Sequence, residues 1–186
     1  GGEEGHCVYI DDLPDDDERY FPVRLSPGIR VLVVDGDPSG TFGQSEAYFL
    51  TRALAPRGNT RSGVSTTVVD ESEFSTLEVD SFQVIYLCNV YAIPDDRRVA
   101  LENWVRGGGG LVVSLGDQID QNDWNDRLFR NGQGLLPVRL ESVEGDETEQ
   151  TWTYFDPQDA QHAIFKLFEG GQNPLRSNVK VFQWWK

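Results

Sequence analysis

Polar side chains that could bind a ligand or do chemistry follow four apolar runs of the chain. If those runs are parallel strands of one sheet, their carboxyl ends lie along one edge, where open α/β sheets bind their ligands. The sequence therefore predicts a binding cleft at that edge. Its predicted members are Asp35, Asp37, Ser39, Asn89, Ser114, Asp117 and Gln118.

Asp35 and Asp37 flank one glycine directly after the first apolar run, a pattern that resembles the nucleophile motif of haloacid-dehalogenase-type phosphatases. Together with Asp117 they predict, as an alternative, a metal-assisted hydrolase in which carboxylates and water hold Mg²⁺. Phosphatases of that type also need a lysine between the acidic motifs, and none occurs before Lys166. The same lack argues against a receiver domain. A plain turn is the other interpretation, because Asp and Gly are common turn residues.

Ser114 lies between the fourth apolar run and a polar turn, where a nucleophile elbow would place its serine. A serine nucleophile needs a base within hydrogen-bond reach. The chain has two histidines, and only His162 follows Ser114 in the order expected of such a base. Ser114 with His162 is thus a second hydrolase alternative, and a structural serine is the other interpretation. Cys88 ends an apolar run with no basic neighbour in sequence, which indicates an inert thiol.

Charge and composition exclude several function classes. The chain of 186 residues has 16 Lys and Arg against 31 Asp and Glu, a net charge of -15. This charge repels phosphate backbones and anionic lipids, so we expect no nucleic-acid partner and favour a cationic one. No run approaches the roughly 20 apolar residues of a membrane helix, so the segment itself is expected to be soluble. Two cysteines are too few for a disulfide scaffold or a four-ligand zinc site, and we expect no cofactor.

The chain after residue 28 alternates between strand-like and helix-like patterns, with predicted strands over 29–34, 63–70, 82–88 and 111–115 and predicted helices over 45–54 and 95–106. This rhythm predicts an α/β fold with a mostly parallel sheet and helices on both faces. Gly107–Gly110 is expected to end the second helix, because these glycines precede a strand and so cannot form a phosphate loop.

The two ends of the chain are less regular. Cys7–Ile10 and Tyr20–Leu25 predict two short strands, so residues 1–28 are either the tail of a preceding β-domain or edge strands added to the main domain, 29–186. Further predictions toward the C-terminus are strands over 138–143 and 150–155 around an acidic hairpin tip, a helix over 162–168 and a strand over 179–185. Tryptophans are concentrated in this part of the chain, and they predict either packing or a groove for carbohydrate or peptide. They are Trp124, Trp152, Trp184 and Trp185.

Several segments together resemble one family, the class I glutamine amidotransferase-like domain of bacterial membrane proteins related to the Bacteroides aerotolerance proteins. The resemblance covers most of residues 29–140 and is carried by Val31–Ser39, Glu46–Leu50, Leu87–Val90, Val105–Gly109, Gly116–Gln118 and Gly134–Pro137. It implies a flavodoxin-like three-layer sandwich. It also implies a parent protein at the cell membrane, with membrane helices and a von Willebrand factor A-like domain outside this sequence. The lack of any methionine likewise predicts a piece of a longer polypeptide.

The resemblance does not imply glutaminase activity. Active class I amidotransferases place a cysteine in a Gly-x-Cys-x-Gly elbow, whereas Ser114 stands near that position here. They complete a triad with His-x-Glu, whereas His162 is followed by Ala163 and Ile164. We therefore expect a non-catalytic binding or scaffolding domain whose partners are other domains of the parent or another protein. The two hydrolase alternatives stay open.

Overall fold

The computed structural model describes residues 4–8, 18–22, 28–38, 45–56, 62–145, 152–154, 165–166 and 180–186. In the first part of the chain the elements are β1 (Glu4–Val8), β2 (Glu18–Pro22), β3 (Ile29–Asp35), α1 (Glu46–Leu54), β4 (Val64–Asp70), α2 (Glu71–Phe74), β5 (Val84–Cys88), α3 (Asp95–Arg106) and β6 (Gly110–Ser114). They are followed by α4 (Gln121–Asp123), a π-helix (Trp124–Phe129), a 3-10 helix (Arg130–Gly132), β7 (Val143–Gly145), β8 (Thr153–Tyr154), β9 (Lys180–Val181) and β10 (Gln183–Trp185). The chain divides into two compact units, which we call unit 1 (residues 1–88 and 104–114) and unit 2 (residues 89–103 and 115–186).

Unit 1 contains a four-stranded sheet in the order β4-β3-β5-β6, and every neighbouring pair of strands is parallel. The predicted α/β fold with a parallel sheet is thereby confirmed. α1 lies between β3 and β4 in the chain and α3 lies between β5 and β6, as parallel neighbours need a long crossover. The predicted strand ends were off by one or two residues, since β5 begins at Val84 and β6 at Gly110.

β3 lies inside the sheet and is buried on both faces. Val31 and Val33 on one face pack with Ala47 of α1 and with Cys88 of β5. Leu32 on the opposite face is 0% exposed. The unbroken apolar run of β3 follows from this position, because a parallel strand covered on both faces has no side that faces water.

α1 and α3 begin and end where their residue types predict. Ser45 caps α1, since its Oγ accepts a hydrogen bond from the Ala47 N–H at 3.1 Å. α3 occupies the predicted range, and the N–H of Gly109 donates to the carbonyl of Trp104 at 3.1 Å just past its end. A Cβ on Gly109 would overlap the Trp104 ring, so the chain needs glycine there. The prediction that residues 107–110 end this helix is confirmed.

The N-terminal strands form a sheet of their own, in which β1 and β2 pair antiparallel. The prediction of two short strands is confirmed, although β1 begins at Glu4 and β2 at Glu18, ahead of the predicted positions. The domain boundary at residue 28 stays a prediction.

The strands of unit 2 correct one prediction. β7 pairs with β10 and β8 pairs with β9, both antiparallel, so the predicted hairpin between 138–143 and 150–155 is wrong. Residues 138–142 are also not a strand. There Asn125 holds the backbone of Leu140, with Oδ1 accepting from its N–H at 2.9 Å and Nδ2 donating to its carbonyl at 2.8 Å. Backbone groups bonded to a side chain are not available to a strand ladder.

The helices of the described ranges are short compared with a bilayer. The longest of them, α3, has 12 residues, whereas a membrane-spanning helix needs about 20 apolar ones. Among the described residues, then, no helix has the length and apolar character to cross a membrane. Of the helix predicted over 162–168, only residues 165–166 are described, and they form a 3-10 turn.

Candidate functional site

The carboxyl end of the sheet in unit 1 carries three polar or reactive side chains level with one another. Asp35 ends β3, Cys88 ends β5 and Ser114 ends β6; the register pairs Cys88 with both of the others. The N–H of Gly36 donates to the Cys88 carbonyl at 2.8 Å, which extends the pairing one residue past β3. The prediction that these strand ends lie side by side is confirmed. Glu46, the first residue of α1, contacts Ser114 at this edge. We call Asp35, Glu46, Cys88 and Ser114 the strand-end cluster.

Asp35 is 8% exposed, and both of its carboxylate oxygens accept local hydrogen bonds. Oδ2 accepts from the Ser45 hydroxyl at 2.5 Å, and Oδ1 accepts from the Asp37 N–H at 3.3 Å. Because Ser45 is the N-cap of α1, Asp35 ties the end of β3 to the start of that helix. These bonds support the interpretation of Asp35 as a turn residue.

Ser114 contacts a carboxylate. Its Oγ donates a hydrogen bond to Oε2 of Glu46, the first residue of α1, at 3.3 Å. A carboxylate accepts this bond, whereas serine nucleophiles are normally activated by an adjacent histidine. The side chains of both histidines lie outside the described residues, so the pairing of Ser114 with His162 stays a prediction.

Cys88 is 2% exposed at the end of β5. Burial, together with the smaller effect of the neighbouring carboxylates of Glu46 and Asp35, raises the pKa of its thiol to about 12. Only the thiolate is an effective nucleophile. The inert thiol that the sequence predicts is therefore supported by the surroundings of Cys88.

We expect Cys88 to be almost unreactive toward iodoacetamide in the folded protein at pH 8. At a pKa of about 12 only about one thiol in 10⁴ is ionised at that pH, and burial also hinders access. The measurement is mass spectrometry of alkylated Cys7→Ser protein, in which Cys88 is the remaining cysteine. The same protein in denaturant is the control and should alkylate readily. Fast alkylation of the folded variant would contradict the expectation.

A second polar cluster lies in unit 2, and we call Asn89, Asp117 and Gln118 the loop cluster. Asn89 is 7% exposed and has φ 51°, a left-handed conformation that asparagine adopts more easily than most residues. Its Nδ2 donates to Asp117 Oδ1 at 2.8 Å, and its Oδ1 accepts from the Gln118 N–H at 2.9 Å. A Cβ on Gly116 would overlap the Asn89 amide, and the Gly116 carbonyl accepts from Trp185 Nε1 at 3.1 Å. These contacts fix the loop that follows β6.

The described members of the predicted cleft are divided between the two compact units. Those described are Asp35, Asp37 and Ser114 in unit 1, and Asn89, Asp117 and Gln118 in unit 2. Within each unit the members lie close together, and hydrogen bonds link Asp35 to Asp37 and Asn89 to the other two loop residues. Ser39, the seventh predicted residue, lies outside the described residues.

The metal-assisted alternative gains no support from these groups. Nowhere in the described ranges do three His, Cys, Asp or Glu side chains come together so that they could hold a metal ion. The carboxylates proposed as ligands instead accept hydrogen bonds from the protein, Asp35 from Ser45 and Asp117 from Asn89.

A buried ionic cluster in unit 2 was not predicted from the sequence. Glu102 is 8% exposed, and its Oε1 accepts from Arg98 at 2.7 Å and from Arg130 at 2.9 Å. Arg98 also contacts Asp95 at 3.3 Å. The i, i+4 spacing of Arg98 and Glu102 on α3 is a signal that could have predicted this pair. Arg130 belongs to a different element, and no local sequence pattern predicts its contact with Glu102.

Arg130 reaches Glu102 from a strained turn. It has φ 45° and ψ 47°, and Asn131 follows with φ 57°, so two successive non-glycine residues are left-handed. Such conformations cost on the order of 1–3 kcal/mol each and persist where surrounding contacts hold them. The contacts here are the ion pair with Glu102 and a hydrogen bond to the Gln133 carbonyl at 3.0 Å. The turn follows directly on the π-helix at Trp124–Phe129.

Comparisons with known proteins provide no match from which a function could be inferred. No protein-family model, no curated protein and no solved structure matches the chain.

Proposed function

We propose that this chain is a non-catalytic, class I glutamine amidotransferase-like domain that binds or scaffolds proteins within a larger membrane-anchored bacterial protein. The observation that carries the proposal is the hydrogen bond from Ser114 Oγ to the carboxylate of Glu46. Ser114 stands near the position at which the resembled family has its nucleophile. Its hydrogen-bond partner here is a carboxylate rather than an imidazole, and Cys88, in register with Ser114 on β5, is buried with a pKa raised to about 12.

Strand order supports the fold part of the proposal. Counting only the parallel strands of unit 1, the order is 2-1-3-4, which agrees with the first four positions of the flavodoxin-like order 2-1-3-4-5. Sheets of that order bind ligands between the carboxyl ends of their first and third strands, here β3 and β5. The strand-end cluster lies at those ends. A flavodoxin-like three-layer sandwich is the fold that we propose on this basis.

The charge of the strand-end cluster indicates the kind of partner group. Asp35 and Glu46 contribute two carboxylates, and the exposed Asp37 adjoins them. The net charge of -15 adds a long-range field of the same sign. A cationic group of a protein partner, such as a lysine or an arginine, is favoured there over an anionic one.

We expect the protein to hydrolyse p-nitrophenyl acetate and glutamine no faster than its Ser114→Ala variant does. The reason is that Ser114 contacts a carboxylate, whereas serine nucleophiles are normally activated by an adjacent histidine. The measurement is steady-state hydrolysis of each substrate by wild-type and variant protein at equal concentration. Ser65→Ala, which changes an exposed serine of β4, is the matched control.

A turnover of the wild-type protein that is lost in both Ser114→Ala and His162→Ala would overturn the non-catalytic proposal and establish the hydrolase alternative.

Binding of a cationic group at the strand-end cluster is tested separately. The protein is titrated with spermidine as the cationic probe, and changes in its amide chemical shifts are recorded. Shifts should concentrate at Gly36 and Asp37 and be lost in Asp37→Asn/Glu46→Gln protein. Shifts confined to other regions would contradict binding at the strand-end cluster.

A further inference from the structure

The turn after the π-helix contains an asparagine followed directly by a glycine, Asn131 and Gly132, the one such pair in the chain. In an Asn-Gly pair the main-chain nitrogen of the glycine can attack the side-chain amide carbon of the asparagine, because glycine has no Cβ to hinder the approach. The bond to the side-chain nitrogen then breaks, ammonia leaves and a five-membered succinimide remains. Water opens the succinimide to aspartate or isoaspartate, so water is the only co-reactant.

The position of this pair in unit 2 gives water access to it. Asn131 and Gly132 are both exposed. The side-chain amides of Asn89 and Asn125, by contrast, are each held by two hydrogen bonds. Exposure and the following glycine therefore single out Asn131 as the described asparagine whose surroundings most favour deamidation.

The backbone conformation of the turn opposes the reaction. Ring closure needs a strongly negative ψ at the asparagine, because only then does the glycine nitrogen lie beside the side-chain carbon. Asn131 has φ 57° and ψ 38°, so its ψ has the opposite sign. While the turn keeps this conformation, the nitrogen of Gly132 is held away from the carbon that it would attack.

The contacts of Arg130 hold this conformation in place. Its Nη2 donates to Oε1 of Glu102 at 2.9 Å and to the Gln133 carbonyl at 3.0 Å. Glu102 lies on α3, and Gln133 lies directly after the Asn-Gly pair, so the guanidinium ties the turn to a helix and to itself. Arg130 and Asn131 are both left-handed, which is unfavourable for residues other than glycine, so the turn is expected to open more often when the ion pair is lost.

We propose that Asn131–Gly132 is a deamidation site that the ion pair between Arg130 and Glu102 keeps closed. The reaction then proceeds only in the small fraction of molecules in which the turn has opened locally. Isoaspartate adds one atom to the main chain, so a turn that has reacted no longer has the geometry that reaches Glu102. Deamidation is therefore a one-way record of the loss of this ion pair. The inference is independent of the function proposed for the strand-end cluster.

The test follows the mass of the tryptic peptide 131–139 after incubation of the full chain at mildly alkaline pH, with isoaspartate separated from aspartate by chromatography. We expect slow deamidation of the folded wild-type protein and much faster deamidation of the same protein in denaturant. Folded Glu102→Ala should react about tenfold faster than wild type, because the closed turn has lost one of its two contacts. Glu102→Gln, which keeps an oxygen acceptor, should react at a rate between the two.

Controls separate opening of the turn from general destabilisation. Val33→Ala leaves a cavity in the sheet of unit 1 and does not touch the turn, so at a temperature at which circular dichroism shows every variant folded its rate should equal that of wild type. Asn131→Gln should show no comparable reaction, because its longer side chain does not form the five-membered ring.

Four results would overturn the proposal. Equal rates in folded and denatured wild-type protein would show that the turn gives no protection. Glu102→Ala and Glu102→Gln reacting no faster than Val33→Ala would show that the ion pair does not control the reaction. Faster deamidation at another asparagine of the folded chain, or none at Asn131 even in denaturant, would show that the site is not the one proposed.

Discussion

Replacing Glu102 by alanine is expected to lower the free energy of unfolding by about 1–3 kcal/mol, because its largely buried carboxylate accepts charge-assisted hydrogen bonds from two arginines, of which Arg130 is 34% exposed. The Glu102 side chain is 10% exposed and Arg98 is 15% exposed, so water reaches neither of them freely. Arg130 shares the same carboxylate oxygen. Glu102→Ala also removes one of the two contacts that hold the strained turn at Arg130. Urea unfolding followed by circular dichroism measures the change.

The matched control for Glu102→Ala is Asp96→Ala, an exposed acidic residue on the same helix. We expect Asp96→Ala to lower the free energy of unfolding by less than about 1 kcal/mol, because substitutions of exposed charged residues usually have small effects. Glu102→Gln keeps an oxygen acceptor without the charge, so its cost should lie between the two. Equal losses of unfolding free energy in Glu102→Ala and Asp96→Ala would show that Glu102, Arg98 and Arg130 are hydrated. Their ion pairs would then not stabilise the fold.

Replacing Trp124 by alanine is expected to cost about 3–5 kcal/mol of unfolding free energy, because a buried indole leaves a large cavity. Trp124 is 0% exposed and is the first residue of the π-helix. Its Nε1 also donates to the Tyr91 carbonyl at 3.0 Å. The variant therefore loses both the packing and a hydrogen bond that joins the π-helix to the residues after β5. Chemical denaturation measures the cost.

Two further substitutions separate these contributions at Trp124. Trp124→Phe keeps most of the apolar volume but loses the donor, and we expect it to cost about 1–2 kcal/mol. Trp152→Ala removes the same side chain from an exposed position, 44% exposed, and should cost less than about 1 kcal/mol. A loss at Trp124 no larger than that at Trp152 would show that the indole is not needed for packing.

The sheet and its helices were predictable from the sequence because their signals are local. The apolar run of β3 is long enough to indicate a strand buried on both faces, and Ser45 and the glycines after α3 mark helix ends by their own chemistry. The pairing of β7 and β8 was not predictable in this way. Both strands are short and exposed, so their own residues do not determine which partner they take.

The candidate site was predictable in position but not in contacts. Strand ends alone place Asp35, Cys88 and Ser114 at one edge of the sheet. The partner of Ser114 is Glu46, which lies 68 positions earlier in the chain and reaches it only because α1 begins at that edge. A contact of this kind depends on how a helix docks on the sheet. The ion pair of Glu102 with Arg130 joins separate elements in the same way.

The pairing of β7 with β10 determines when part of unit 2 can fold during synthesis. β7 ends at Gly145 and its partner begins at Gln183, so at roughly 5–20 residues per second about 2–8 s separate the emergence of the two strands. Throughout that interval β7 cannot form this pair, and its short length and the charge of Glu144 limit pairing with other chains. A ribosome that stalls between these two strands would therefore leave β7 unpaired until Gln183–Trp185 emerges.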